Sequence, residues 1–509
     1  MSAAPEQRPL YVDLDGTLIS SDTLWELFVV ACRRRPLRTP VTCVTGLLRG
    51  RAALKQDLGR LASLRPEALP YRSEVVEFLQ AQRHAGRRIV LATAADRSIA
   101  EGVAGHLRLF DDVLASDGLR NLKGPEKLRA IREQVGAAGF DYIGDSAADE
   151  PIWEAATHSF RVGPPRPDDH RFARVFAEPR SAKAILRLLR PHQWVKNLLV
   201  FVPLLLAHAW HDPAKLLATL LAFAAISACA SGVYVVNDLT DLESDRAHRS
   251  KRRRPIAAGA VAIPAAIAVA AGCFALSLGL ALLVNWPFVG VLAAYFAVTT
   301  LYSLRLKRRM LLDVIVLASL YTVRVIAGGV AAEVEVSPWL LAFSMFLFFS
   351  LALAKRYAEL AQHPPEPGTK VAGRGYVAGD LQTVGEFGVA SGLLSVLVLS
   401  LYVSESATAA ALYPSRALLW MLCPLLLYWI ARLWFITRRG GMHEDPILFA
   451  IKDRASWLVA LIAVALVGLA TTNLFARPGD RARPDALPSA PAAVDAGPLT
   501  PAAAARGEG

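Results

Sequence analysis

The chain has 509 residues and a net charge of +12; 54% of its residues are hydrophobic and only 20% are charged, giving a mean hydropathy of +0.36. That excludes a disordered chain, a collagen, a disulfide-rich miniprotein and an ordinary soluble enzyme, whose charged fraction is nearer ~25%. The basic excess sits in short loops between apolar runs, which points to a membrane rather than to nucleic acid, and Cys32, Cys43, Cys229, Cys273 and Cys423 form no CxxC and no metal-ligand spacing.

Residues 1–165 carry charge throughout and hold no apolar run near the ~20 residues of a bilayer crossing. Met1–Leu10 lacks the apolar core of a signal peptide. Arg8–Val12 reads as a short buried strand running into Asp13-Leu-Asp15-Gly16-Thr17. The stretch 20–72 is helical in pattern. A second strand, Arg88–Thr93, ends on a hydroxyl, and Lys123 stands in Asn-Leu-Lys-Gly at the head of a helical pattern. A third strand, Phe140–Gly144, runs into Asp145-Ser-Ala-Ala-Asp149. Strands alternating with helices predict a parallel sheet, and such sheets bind ligands at the carboxyl ends of their strands, where these polar groups fall.

This set suits phosphoryl transfer through an aspartyl-phosphate. Asp13 is the expected nucleophile, and Asp15 the acid that protonates the leaving alcohol and then activates water. Asp13, Asp15, Asp145 and Asp149 are expected around a Mg²⁺ ion, with Thr93 and Lys123 neutralising the phosphoryl oxygens. In this order the motifs resemble the four of the haloacid dehalogenase-like hydrolases, phosphoserine-phosphatase-like branch, over about residues 9–165. The resemblance implies that 20–72 is a small helical cap.

From Arg190 the texture changes. Apolar segments follow at 195–210, 214–236, 261–284, 286–303, 311–331, 336–354, 386–405, 413–436 and 455–474, about nine spans of roughly bilayer length. Six Lys/Arg in Arg246–Arg254, four in Arg305–Arg309, then Lys355–Arg356 and Arg438–Arg439 follow the even-numbered spans. All fall on the side of the soluble half, which the positive-inside rule makes the cytoplasm, here that of a bacterial inner membrane. The expected architecture is an N-terminal α/β Rossmann-like phosphatase domain with a small helical cap (1–165), a linker (166–185), an all-α integral membrane domain (186–476) and a disordered Ala/Pro-rich tail (477–509).

The second span ends Asn237-Asp238-Leu-Thr-Asp241-Leu-Glu-Ser-Asp245, and its spacing puts three carboxylates on one helix face. Such a group at a membrane boundary is costly unless a cation neutralises it, and hard oxygen ligands suit Mg²⁺ on a diphosphate. The following Arg254-Pro-Ile-Ala-Ala-Gly259 supplies cations for the phosphates. NDxxDxxxD with RRPIAAG resembles the UbiA-type intramembrane prenyltransferases over about residues 185–475. That resemblance implies Mg²⁺ in this half too, one site in each domain. Aromatic prenyltransferases of that superfamily carry a second DxxxD; here Asp313 has Leu317 four residues on, which counts against prenylation of an aromatic acceptor, the alternative reading. A transporter or scaffold is disfavoured because the acids sit at span ends rather than at mid-bilayer.

Arg190-Pro-His-Gln-Trp194-Val-Lys196-Asn197, Tyr321-Thr-Val-Arg324, Lys355-Arg356-Tyr357, Arg374-Gly-Tyr376 and Glu444-Asp445-Pro446 with Asp453-Arg454 look like the polyprenyl-phosphate phosphoribosyltransferase branch. That branch moves 5-phosphoribose from phosphoribosyl pyrophosphate to a lipid phosphate. The resemblance implies Asp238, Asp241, Asp245 and Asp313 around the metal, Asp238 and Asp241 acting in catalysis. Lys196, Asn237, Asp245, Arg254, Lys307, Arg324, Lys355 and Arg356 are the expected contacts to substrate and phosphates. The fused phosphatase is expected to remove the 5-phosphate from the product, on the way to arabinosyl lipids. A homo-oligomer is compatible with this reading.

Overall fold

A computed structural model describes residues 8–117, 120–136, 138–177, 182–362, 375–406, 409, 412–442 and 445–472. Arg374, Glu444 and the tail from Arg477 lie outside the described residues.

The N-terminal half is built on β1 (Leu10–Val12), β2 (Ile89–Asp96), β3 (Asp112–Ser116), β4 (Asp141–Gly144), β5 (His158–Gly163) and β6 (Arg174–Ala177). They form one parallel sheet in the order β3-β2-β1-β4-β5-β6. Alternate residues of each strand serve opposite faces. Leu10, Val12, Leu91 and Ile143 enter one core with α4 (Ser73–His84) and α5 (Arg97–Leu107). Tyr11, Val90, Ala92 and Tyr142 enter the other with α6 (Pro125–Val135) and α7 (Glu150–Ala155). Burial on both faces is why these strands read as unbroken apolar runs. Strand β6 lies inside 166–185, the stretch expected as a linker: Val175 and Phe176 pack on the sheet and leave a shorter connection.

Three helices, α1 (Thr23–Arg34), α2 (Thr39–Arg49) and α3 (Arg51–Leu61), stand between β1 and β2 as a cap. Leu27, Val30 and Ala31 of α1 pack on Leu54 and Leu58 of α3.

Beyond the sheet come α8 (Ala182–Leu189), α9 (Val202–Leu206), α10 (Pro213–Thr240), α11 (Leu242–Ala247), α12 (Ile263–Val284), α13 (Trp286–Leu304) and α14 (Leu312–Ala332). The segment 195–210, expected as the first span, is not a regular helix. Pro191–Phe201 is a 3-10 stretch, α9 adds little more than one turn around Pro203, and His208 is left-handed. The stretch runs antiparallel along α10, with Trp194 donating to Ser231 (2.9 Å) and Asn197 to Ser227 (2.9 Å). Helices α10 and α12 approach closely at Gly232, where a Cβ would lie 2.7 Å from the Phe274 ring.

Two compact units divide after Val336. The first holds everything above, with Gly375 and Tyr376 returning to it. The second contains α15 (Pro338–Gln362), α16 (Asp380–Glu405), α17 (Leu422–Arg438), α18 (Pro446–Lys452) and α19 (Arg454–Ala470). Within it, Gly388 and Gly392 let α16 meet Trp434 and Ile430 of α17. Among the described residues seven helices are long and apolar enough to cross a membrane, or eight if α18 and α19, bent by 83°, form one span.

Candidate functional site

The first unit carries two polar centres. One lies at the carboxyl ends of β1 and β4, the point where the strand order reverses and open α/β sheets bind ligands. Asp13, Asp145 and Asp149 there offer oxygens all within 4.8 Å of one another. Three convergent carboxylates are a donor set for a hard divalent cation. Gly16 makes the turn with φ +75°; a Cβ on it would sit 2.2 Å from an Asp145 oxygen, so no other residue fits between the two motifs.

The lysine beside these acids is Lys127, not Lys123. Its Nζ lies 3.0 Å from Asp13 and 3.4 Å from Asp149 and donates to the Tyr142 hydroxyl (2.9 Å). Lys123 is exposed on the cavity rim. Gly124 (φ +56°) and Pro125 at the first helical position start α6 after Lys123 and turn its first-turn lysine inward. That Gly-Pro start was the available signal.

Burial raises Asp13 to about 6 against the opposing Lys127. Burial, then the charges of Asp13 and Asp149, raise Asp145 to about 7. Burial also pushes Asp149 up, but Lys127 and the hydrogen bonds from Tyr142 and Ser146 outweigh it and hold the carboxyl below its ordinary value. Asp15, expected among the metal ligands, stands outside the convergent group. It accepts from the Thr23 backbone N–H (2.8 Å) and hydroxyl (3.1 Å), and burial followed by the charge of Asp22 raises it to about 7. A carboxyl of that acidity gives and takes protons near neutrality. Thr93 is buried within β2 and its hydroxyl accepts from the Ala95 N–H (3.0 Å). Lys55 of the cap, donating to the Ala94 carbonyl (2.6 Å), and Arg72, donating to the Gly16 carbonyl, add cations that no motif announced.

The second centre lies where α10 runs into α11. Asp238 is 2% exposed; its Oδ1 accepts from Arg190 (2.5 Å) and Arg254 (3.0 Å), and Arg254 also donates to Asp245 (2.6 Å). Asp241 faces Lys307 (3.3 Å), and Asn237 donates to Ser303 (3.1 Å). The other oxygen of Asp238 is buried with no hydrogen-bond partner. An orphaned carboxylate oxygen beside two further aspartates fits a divalent cation that is to carry phosphates. Arg190 stands in Arg190-Pro-His-Gln-Trp194, where nothing in the spacing marks it as an Asp238 partner.

On α14, Arg324 donates to Asn197 (2.8 Å) and to the Tyr295 hydroxyl (2.9 Å), and stacks over the rings of Tyr295 and Tyr321. Lys196 lies 5.9 Å from the Tyr321 ring centre. Asp313, fully buried at the head of α14, accepts from the Tyr376 hydroxyl (2.7 Å). Lys355 and Arg356 belong to the second unit, where Lys355 donates to Asp445 (3.2 Å) and Arg356 pairs with Glu359.

Residues 10–154 match the haloacid dehalogenase-like hydrolases, and residues 198–452 match the UbiA prenyltransferase family. The uncharacterized protein y4nM of Sinorhizobium fredii is 40% identical over 468 residues, 90% of this chain and 90% of that one. The decaprenyl-phosphate phosphoribosyltransferase of Mycobacterium tuberculosis is 34% identical over 292 residues, 56% of this chain and 93% of the enzyme. A solved UbiA homolog from Archaeoglobus fulgidus bound to GPP and Mg²⁺ aligns with a TM-score of 0.44 at 18% identity, over 56% of this chain and 99% of that chain.

Proposed function

Because the chain belongs to the UbiA prenyltransferase family and carries a haloacid dehalogenase-like hydrolase domain ahead of its membrane helices, we propose that it performs two consecutive steps on one lipid. The membrane half transfers 5-phosphoribose from phosphoribosyl pyrophosphate to a polyprenyl phosphate, and the soluble half removes the 5-phosphate. Both act at the cytoplasmic face of a bacterial inner membrane, the side on which the basic loops fall.

The observation that carries this reading is the grouping of Arg190, Arg254 and Lys307 around Asp238, Asp241 and Asp245. A donor with a diphosphate and a 5-phosphate, met by an acceptor phosphate, needs several cations together. The mycobacterial relative named for this transfer, matching the membrane half, supports the same choice.

In the first step a lipid-phosphate oxygen bonds to the ribosyl C1 as its bond to pyrophosphate breaks. No general base is required, since the acceptor is already an anion. Arg190 and Arg254 take up leaving phosphate oxygens. In the second step a carboxylate oxygen of Asp13 bonds to phosphorus as the P–O bond to the sugar breaks, and Asp15 gives its proton to the departing sugar oxygen. Water then attacks the acyl phosphate, Asp15 recovers a proton from it, and inorganic phosphate leaves. Lys127 holds charge on the phosphoryl oxygens throughout. When bound at either carboxylate group, Mg²⁺ supplies the positive charge that lets anions approach one another.

The test is a liposome assay with labelled phosphoribosyl pyrophosphate, polyprenyl phosphate and Mg²⁺. Label enters lipid with wild type and with Asp13→Asn, which accumulates the 5-phosphorylated lipid, but not with Asp238→Asn. No lipid label under any condition refutes the transfer.

A further inference from the structure

The phosphatase centre opens into a cavity of 690 Å³ that the soluble half does not enclose alone. Asp13, Asp145, Lys127 and Arg72 line its polar floor. The wall opposite is Gly259–Ala265, the segment that leads into α12, with Ile185 of α8 beside it. Ala260, Ala262 and Ala265 are the exposed residues of this segment, and it carries no charged side chain and no side-chain hydrogen-bonding group.

Three contacts fasten this wall in place. Arg246 makes a two-pronged ion pair with Glu26 of the cap (2.7 and 3.1 Å), both side chains being more than nine-tenths buried, and also donates to the Ala68 carbonyl (3.2 Å). Gly259, at φ +72°, lies against the loop that follows the first motif; a Cβ there would fall 1.9 Å from the Ser20 hydroxyl oxygen. Trp25, Phe28 and Val29 on α1 pack with Val235 and Leu239 at the aspartate-bearing end of α10 and with Ala266 and Ala270 in the first turns of α12. A buried ion pair, a glycine contact and an apolar seam together describe a built interface rather than a chance approach.

A phosphate-binding floor facing an uncharged wall at the head of two apolar helices is a two-ended site. We propose that Gly259–Ala265 is a substrate-binding element of the phosphatase, and that its substrate is an amphiphilic phosphomonoester whose apolar part lies along this wall. The inference rests on the proposed function, with Asp13 as the phosphatase nucleophile, and adds the element of this chain that recognises the apolar part of the ester. Discrimination comes from apolar contact outside the phosphate, so it appears in KM for esters that carry such a part and is absent for bare sugar phosphates.

The experiment compares octyl ribofuranoside 5-phosphate with ribose 5-phosphate on the full chain in nanodiscs, measuring released phosphate. Wild type should favour the octyl ester at least about tenfold in kcat/KM, mainly through KM. Ala262→Asp and Ala265→Glu should each remove most of that preference by charging the wall. Ala262 is the N-cap of α12 and Ala265 stands in its first turn, where acidic side chains stabilise a helix, so both variants fold. Equal kcat/KM for the two esters, or a preference that survives both substitutions, overturns the inference alone. Failure of wild type to hydrolyse either ester, or hydrolysis undiminished in Asp13→Asn, overturns the phosphatase reading and the inference with it.

Discussion

The two carboxylate centres solve opposite problems. In the phosphatase, three acids converge within 4.8 Å beside a single lysine, and burial holds two of them protonated well above the usual carboxylate range. In the membrane half every acid of the centre is paired with a cation: Arg190 on Asp238, Arg254 bridging Asp238 and Asp245, and Lys307 on Asp241. Buried acids crowded together avoid mutual repulsion by keeping protons, as the raised values of Asp13 and Asp145 express. A carboxylate at the end of a membrane helix must be neutralised at all times. The first centre groups its oxygens as a divalent cation would need them, whereas in the second arginines stand where a metal and phosphates would bind.

The comparison breaks first at the lysine. Lys127→Met should lower phosphatase turnover about 10³-fold, while Lys123→Met stays within about threefold, as expected of an exposed side chain; phosphate release from one ester decides it. Equal losses would remove Lys127 from its place. Next, Arg254→Ala should depress lipid labelling about 10²-fold, because it strips one cation from both Asp238 and Asp245, yet leave ester hydrolysis near wild type. A loss of both activities would show that the two centres are not independent. Gly16→Ala should cost the soluble half about 1–3 kcal/mol through its positive φ and the clash with Asp145, read as a fall in its unfolding midpoint.

The smallest effect is one of pH. Asp13, Asp15 and Asp145 have folded values above their ordinary 3.8, near 6, 7 and 7. In the folded state they bind protons more tightly than in the unfolded chain. Their contribution is therefore fully present below pH ~4 and lost as pH rises through ~6–7. With EDTA the soluble half should melt higher at pH 5.5 than at pH 8, and Mg²⁺ should raise the pH 8 value and flatten the slope. A metal-free midpoint that climbs from pH 5.5 to 8 would contradict this.

Much of this was legible in the residues. DxDGT and GDxxxD announce themselves because both follow short apolar strands, and a parallel sheet leaves its ligands nowhere else. Helical spacing groups Asp238, Asp241 and Asp245, although the chain breaks at Asp241 between α10 and α11 instead of continuing as one helix. The motif reading selects Lys123, which precedes α6, whereas the lysine lying beside Asp13 and Asp149 is Lys127, one turn on. The first span resisted because apolar composition says nothing of the 3-10 winding over Pro191–Phe201 or of the short α9 that holds Pro203. The role of Arg246 and Gly259 was invisible, because residues more than two hundred positions apart meet only after the halves dock.

That docking also sets a schedule for biosynthesis. The apolar side of α1 finds its partners, Ala266 and Ala270, more than two hundred residues later in the chain. At ~5–20 residues per second the ribosome takes about 10–50 s to supply them. For the part of that interval after β6 (Arg174–Ala177) has been made, Trp25, Phe28 and Val29 face water on a domain whose sheet is already complete. The nascent chain is thus most prone to aggregate after its soluble half has folded and before α12 enters the bilayer. A phosphatase half cut after β6 would keep that vulnerability for good.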